Sequence, residues 1–234
     1  MKNILQTHFE KIYCINLDER SDKWQLAQSE FKKYGIENIV ERFSGYKIHK
    51  KKACLVGCAL SHLNILKKCK QDKVKNVLVL EDDIEFLTYS LDYVNKKKNI
   101  IESDPADILE RGLTQLQSVN WDVFYLGYNI KVKEFCYKKI LSDNLFKSTV
   151  QLTTHSIAYN DSVYDIIIND LQNVVCAIDV YLGFYLSHKI NSINLYPMIG
   201  GQREEIASDI GAGKIRTNRW VKRNALYNFM EYKQ

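Results

Sequence analysis

Glu81, Asp82 and Asp83 follow directly on Val77-Leu78-Val79-Leu80, and this junction holds the clearest chemistry in the chain. Three adjacent carboxylates repel one another when ionised, and a divalent cation is an effective way to keep several of them charged together. Their other role is a solvated acidic turn behind a core strand. Cys54 and Cys58 have a spacing that suits a metal site, but no second Cys/His pair follows at a zinc interval. His62 lies on an apolar stripe, where a hydrogen-bonded core histidine is the ordinary reading. Ser61 beside it does not make a hydrolase, because neighbours on a helix face different ways and no Gly-x-Ser-x-Gly elbow is present.

The elements that must position these groups are legible from their periodicity. Four consecutive aliphatic residues at 77–80 predict a strand buried on both faces, as in a largely parallel sheet, whose carboxyl end is where open α/β sheets bind ligands. Ile12 to Leu17 predicts the first strand; it ends in a polar turn with Ser21 placed to cap a helix carrying Trp24, Ala27, Phe31 and Tyr34, which Gly35 stops. A short strand is expected at Ile39 to Phe43. From Leu55 onward, Cys58, Ala59, His62, Leu66 and Cys69 share one helical face. The stretch Asn95 to Gln117 is polar and lysine-rich, with helical signals but poor periodicity, and reads as a surface insertion. Trp121 to Leu126 predicts another central strand closing on Gly127, where a backbone could approach a ligand. Leu152 to Tyr159 is a further strand candidate, Asp161 caps a helix through Leu171, Ile178 opens another helix, and Ser192 to Tyr196 is the last strand, stopped by Pro197. Gly200-Gly201-Gln202-Arg203 and Ser208-Asp209-Ile210-Gly211 form a glycine-rich polar segment ahead of a basic tail from about residue 212.

With 234 residues, 46% of them hydrophobic, and 15 Tyr and 9 Phe, the chain has the material for one α/β domain and is not a disordered chain. No run reaches bilayer-spanning length and residues 1–10 have no apolar signal core, so a soluble, cytoplasmic protein is expected. The six cysteines are scattered and do not suggest a disulfide framework. The net charge of +5 comes from lysine runs and the tail, which suit solvated faces, an anionic ligand or peripheral contact with a membrane. No nucleic-acid module is present.

Four motifs in order carry a resemblance: Ile15-Asn16-Leu17-Asp18-Glu19-Arg20, Gly57-Cys58-Ala59-Leu60-Ser61-His62, Val79-Leu80-Glu81-Asp82-Asp83, and Gln202 with Ser208-Asp209-Ile210. Together, over residues 12–210, they resemble glycosyltransferase family 25, which includes bacterial lipooligosaccharide galactosyltransferases and collagen β-galactosyltransferases. The family's second Arg, three residues after the first, is Lys23 here, and apolar residues around Leu55 replace its Gly-Glu pair. The resemblance implies a single-domain α/β protein of GT-A type, residues 1–234, with a mostly parallel twisted sheet flanked by helices. It implies an inverting hexosyltransferase that moves galactose or glucose from a UDP-sugar to a hydroxyl of a glycan, lipid-linked or protein acceptor. Asp83 and Glu81 are the implied metal ligands, for Mn²⁺ or alternatively Mg²⁺, hard ions that suit carboxylate oxygens and neutralise a diphosphate leaving group. Asp179 is the implied general base, its other role being an N-cap. Asn16, Arg20, Ser61, His62, Glu81, Asp82, Gly127, Gln202 and Asp209 are the implied substrate-binding residues.

Two other readings stay open. The missing glutamate permits a catalytically silent sugar-nucleotide or glycan-binding module. A nucleotidyltransferase would share the strand-end acids, but a glycine-rich Arg/Lys loop near the first strand is absent.

Overall fold

Val77 and Val79 pack into one hydrophobic cluster while Leu78 and Leu80 pack into another, so the aliphatic run serves two cores at once. That is why it shows no polar alternation: the strand is covered on both faces. The computed structural model describes residues 1–48, 54–92, 99–102, 104–128, 138–149, 151–172 and 176–203.

In chain order the elements are α1 (Lys2–His8), β1 (Lys11–Asn16), α2 (Ser21–Lys33), β2 (Glu41–Ser44), α3 (Cys54–Gln71), β3 (Asn76–Glu81), β4 (Ile84–Phe86), β5 (Tyr89–Asp92), β6 (Asn99–Glu102), α4 (Pro105–Leu116), β7 (Val123–Tyr125), β8 (Lys138–Ile140), β9 (Leu145–Ser148), β10 (Ser156–Asn160), α5 (Tyr164–Leu171), α6 (Ile178–Val180), β11 (Ser192–Leu195) and β12 (Gly200–Gln202). A 3₁₀ turn, Asp161–Val163, leads into α5, and α6 continues as a π-helical turn, Tyr181–Leu186.

Eight strands form the main sheet in the order β2-β1-β3-β10-β7-β11-β9-β8. Strands β1, β2 and β3 are parallel, as are β7 and β11, while β10 and β9 run against their neighbours. Six strands therefore share one direction, which gives the expected mostly parallel α/β architecture. One core cluster lies towards α3, α5 and α6; the other lies towards α1, α2 and α4.

Several local expectations are corrected. Ser21 is the first residue of α2 and does not cap it; Arg20 occupies the cap position and no side chain bonds there. Gly35 takes φ +66° just beyond α2, the left-handed conformation a helix stop requires. The expected surface insertion includes α4, which starts on an Asp104 cap accepting from the Ala106 amide and buries Ile108, Leu109, Leu113 and Leu116. Its apolar residues were obscured by the lysines ahead of them. Asn160, not Asp161, caps the turn into α5. The final strand is β12, which pairs antiparallel with β4 so that Gly200, Gly201 and Gln202 lie opposite Phe86, Glu85 and Ile84. No helix among the described residues is long and apolar enough to cross a membrane. The basic tail from about 212 and Asp209 lie outside the described residues.

Candidate functional site

The three acids occupy the end of β3 and the turn into β4, and the backbone sends them different ways. Asp82 points towards β1 and α2. Its Oδ2 accepts from Asn16 Nδ2 at 2.7 Å, and its Oδ1 lies 3.5 Å from Lys23 Nζ. Asn16, 1% exposed, is fixed in turn: its Nδ2 also donates to the Arg20 carbonyl at 3.0 Å, and its Oδ1 accepts from Arg42 Nε at 2.9 Å. Arg42 also pairs with Asp18 at 2.7 Å and lies over the Trp24 ring. Asp82 is therefore already neutralised by protein groups. A buried carboxylate beside a buried ammonium requires that pairing, because either ion alone would be strongly penalised.

Glu81 points the other way, among neutral groups. Its Oε1 accepts from Thr154 Oγ1 at 3.0 Å and lies 3.8 Å from the Cys58 thiol. Burial pushes its pKa up to about 8, and Asp83, Asp82 and Asp179 add to the rise by like-charge repulsion. Burial and the Glu81 charge also push up the Cys58 thiol. On the same side His62 is fully buried, which drives its pKa down to about 3.

Asp83 is clamped by the late strand. Gln202 Nε2 donates to its Oδ2 at 3.2 Å, and the Arg203 amide donates to its carbonyl at 2.8 Å. Arg203 also pairs with Glu30 at 2.8 Å, and Glu30 accepts the Phe86 amide at 2.8 Å, so α2, β4 and β12 are tied around the turn. Asp179, on α6, accepts from the Thr153 amide at 3.3 Å and from the Val180 amide at 2.8 Å. Thr153 adjoins Thr154, the residue that donates to Glu81, so one short segment contacts both acids.

A hard cation fits this arrangement. Glu81 holds its proton because it is buried and acids act on it, with no cationic partner among the described residues; a divalent ion shared with Asp83 would offset that negative charge. Asp82 offers its oxygens to Asn16 and Lys23 instead.

The structure thus joins Asp83 to Gln202, binds Glu81 and Asp179 to the adjacent Thr154 and Thr153, and sets Asn16 and Lys23 against Asp82. Arg20 is bound at both ends of its guanidinium by Asp22, at 2.9 and 2.8 Å. Ser61 is 1% exposed; it donates to the Gly57 carbonyl and accepts the Tyr46 amide, so it fastens the 44–48 segment onto α3. Gly57 serves the same junction, since a Cβ there would meet the Tyr46 carbonyl at 2.2 Å. Gly127 is corrected: a Cβ would meet His155 Nε2 at 2.3 Å and the Gly200 carbonyl at 2.4 Å, so its open face is filled by protein and not by a ligand.

Sequence reasoning missed Lys23, Glu30, Arg42, Thr154 and Arg203. Lys23 and Glu30 carried a signal, because they share the 23-27-30-31 face of α2 with Ala27 and Phe31 and are buried with them. Arg42, Thr154 and Arg203 carried none, because their partners are 26, 73 and 173 residues away in the chain.

The model of glycosyltransferase family 25 (LPS biosynthesis protein) matches residues 53–159. The matched segment runs from α3 through the acid turn to β10; it begins after Asn16 and Arg20 and ends before Asp179 and Gln202. No curated protein sequence matches the chain. Among solved structures, A197 from STIV is similar at 13% identity over 82% of this chain and 85% of that one, with a TM-score of 0.42. A glycosyltransferase involved in the glycosylation of the major capsid of PBCV-1 is similar at 9% identity over 79% of each chain, TM-score 0.44. UDP-glucose pyrophosphorylase complexed with UDP-glucose is similar at 9% identity over 94% of this chain and 81% of that one, TM-score 0.44.

Proposed function

We propose that this chain, a glycosyltransferase through its family 25 segment, moves galactose or glucose from a UDP-sugar to a hydroxyl of a glycan, lipooligosaccharide or protein acceptor, inverting the anomeric carbon. The observation that supports the reading is a strand-end acid turn in which Glu81 and Asp179 are bound to the adjacent Thr154 and Thr153 while Gln202 of β12 holds Asp83.

In this reading Asp179, held by two backbone amides, takes the proton of the acceptor hydroxyl as that oxygen bonds to the anomeric carbon and the bond from that carbon to the UDP oxygen breaks. Glu81 and Asp83 would hold Mn²⁺ or Mg²⁺, which would supply positive charge to balance a diphosphate leaving group. Gln202 and the Arg203 amide keep Asp83 in place for that task. Arg20 exchanges the exposed Asp22 carboxylate for a nucleotide phosphate, a stronger bidentate partner. Asn16 sets the floor of the nucleotide side through Asp82 and Arg42. Asp209 contributes a further substrate contact.

The test is release of UDP from UDP-galactose and UDP-glucose with and without Mn²⁺. Metal-dependent release is expected, and Asp83→Ala should lose it. Asp179→Asn should slow transfer by about 100-fold or more while UDP-sugar still binds. Tight binding of intact UDP-sugars with no turnover would replace this reading with a silent binding module, and full activity in Asp83→Ala would remove Asp83 from the site.

A further inference from the structure

Beside the acid turn lies a second set of donors whose chemistry differs from that of the oxygen pair. Cys58 and His62 stand four residues apart on one face of α3, and Glu81 meets them from the end of β3. One sulfur, one imidazole nitrogen and one carboxylate oxygen from these residues all lie within 4.8 Å of one another. Cys58 and Glu81 are partly exposed, so the cluster is reachable from the surface, while His62 forms its floor at 0% exposure.

His62 supplies the second, independent observation. Its Nδ1 is engaged by the Tyr159 hydroxyl at 3.0 Å, whereas its Nε2 is buried with no hydrogen-bond partner. A buried polar nitrogen without a partner is costly and rare. An imidazole whose Nδ1–H donates to a neighbour presents Nε2 as a lone-pair ligand, which is the arrangement metal-bound histidines adopt. Thiolate, imidazole and carboxylate together make a borderline-soft set, suited to zinc and unlike the all-oxygen sets of magnesium and manganese.

We propose that Cys58 Sγ, His62 Nε2 and Glu81 form a three-ligand site for a zinc-class ion, with Tyr159 orienting the His62 ring. Metal–ligand bonds of about 2.0–2.3 Å place donor atoms under about 4 Å apart, so the cluster closes by about 1 Å as the ion enters. The Cys58 thiol loses its proton to solvent, as does Glu81 where it is protonated; no electron transfer is involved. Three protein ligands leave a fourth position for water, next to Thr154, whose Oγ1 lies 3.0 Å from Glu81 and 4.0 Å from Cys58. Because Glu81 is common to both donor sets, zinc bound here competes with the hard cation for that carboxylate. The site itself does not depend on the glycosyltransferase reading.

Titration of the full chain with Co²⁺, a spectroscopic stand-in for zinc, tests the proposal. One equivalent should bind with a thiolate-to-cobalt absorption band that Zn²⁺ abolishes by displacement. Cys58→Ser, nearly isosteric and expected to melt like the wild type, should lose the band and weaken Zn²⁺ binding by about 10-fold or more. His62→Gln should weaken binding as well, whereas Asp83→Asn should keep the band whether or not UDP-sugars are turned over. Absence of the band in the wild type, or its survival in folded Cys58→Ser, overturns the assignment.

Discussion

Asp82 and Glu81 are adjacent acids at one strand end, yet they live in opposite surroundings. Asp82 faces Asn16 and Lys23, with Arg42 behind Asn16, so its charge is answered before any ligand arrives. Glu81 faces Thr154, Cys58 and His62, none of which carries a positive charge, and three other acids act on it. The strand's end creates the difference, because Glu81 is the last residue of β3 and Asp82 the first of the turn, where the chain changes direction. The comparison teaches that an acidic run is not one site: one member builds the scaffold, and its neighbour is left requiring a cation or a proton.

The largest expected effect that would break this contrast is on the Asp82 side. Asp82→Ala leaves the Lys23 ammonium buried without its carboxylate and should lower stability by about 3–5 kcal/mol, read by chemical denaturation. Adding Lys23→Met should recover much of the loss. A drop under 1 kcal/mol in the single variant would show that the buried pair does not hold the scaffold.

A smaller effect belongs to the neutral side, where the His155 carbonyl accepts the Glu81 amide. Burial drives the His155 pKa down to about 4 from an ordinary 6.5. A folded pKa below the unfolded one means the unfolded chain binds the proton first, so stability is complete above pH 6.5 and declines as pH falls towards 4. At 1.36 kcal/mol per unit the decline amounts to roughly 3 kcal/mol. His155→Gln, which keeps a donor for the Gly200 carbonyl, should flatten that part of the curve. An unchanged slope would place the acid lability elsewhere.

Glu81→Gln should give the smallest change and the opposite pH sense. In the metal-free protein the raised Glu81 pKa means stability is lost as pH climbs from about 4.5 to about 8. The amide variant should match the wild type near pH 5 and exceed it above pH 8. Thermal melts at the two pH values check this, and a variant less stable than the wild type at high pH would refute the assignment of Glu81 as the acid lacking a cation.

Much of the positioning framework was readable from local pattern. The two-faced run at 77–80, the helical stripe through Cys58, His62 and Cys69, and the acid junction all depend on residues close in sequence. Direction was harder: Leu152 to Tyr159 suggests a strand, but nothing in Ser156–Asn160 reveals that it runs against β3 and β7. Strand β12 was hidden because two glycines read as loop, whereas the first of them, Gly200, allows the chain to pass close to Gly127 and Ser156. At the site, residue identity was legible and wiring was not. Cys58 was considered with Cys54 because both are cysteines, while folding sets it beside His62 and a carboxylate arriving 23 residues later. Lys23 looked like a departure from a motif, and the structure gives it Asp82 as its partner.

The bond from Gln202 to Asp83 spans 119 positions, and the β12–β4 ladder that supports it joins similarly distant parts of the chain, Gln202 lying opposite Ile84. A ribosome making this chain therefore releases the acidic turn long before the strand that braces it. Until that brace arrives the turn lacks both the Gln202 side chain on Asp83 and the Arg203 amide on its carbonyl, so the shape of the acid junction is a late product of folding.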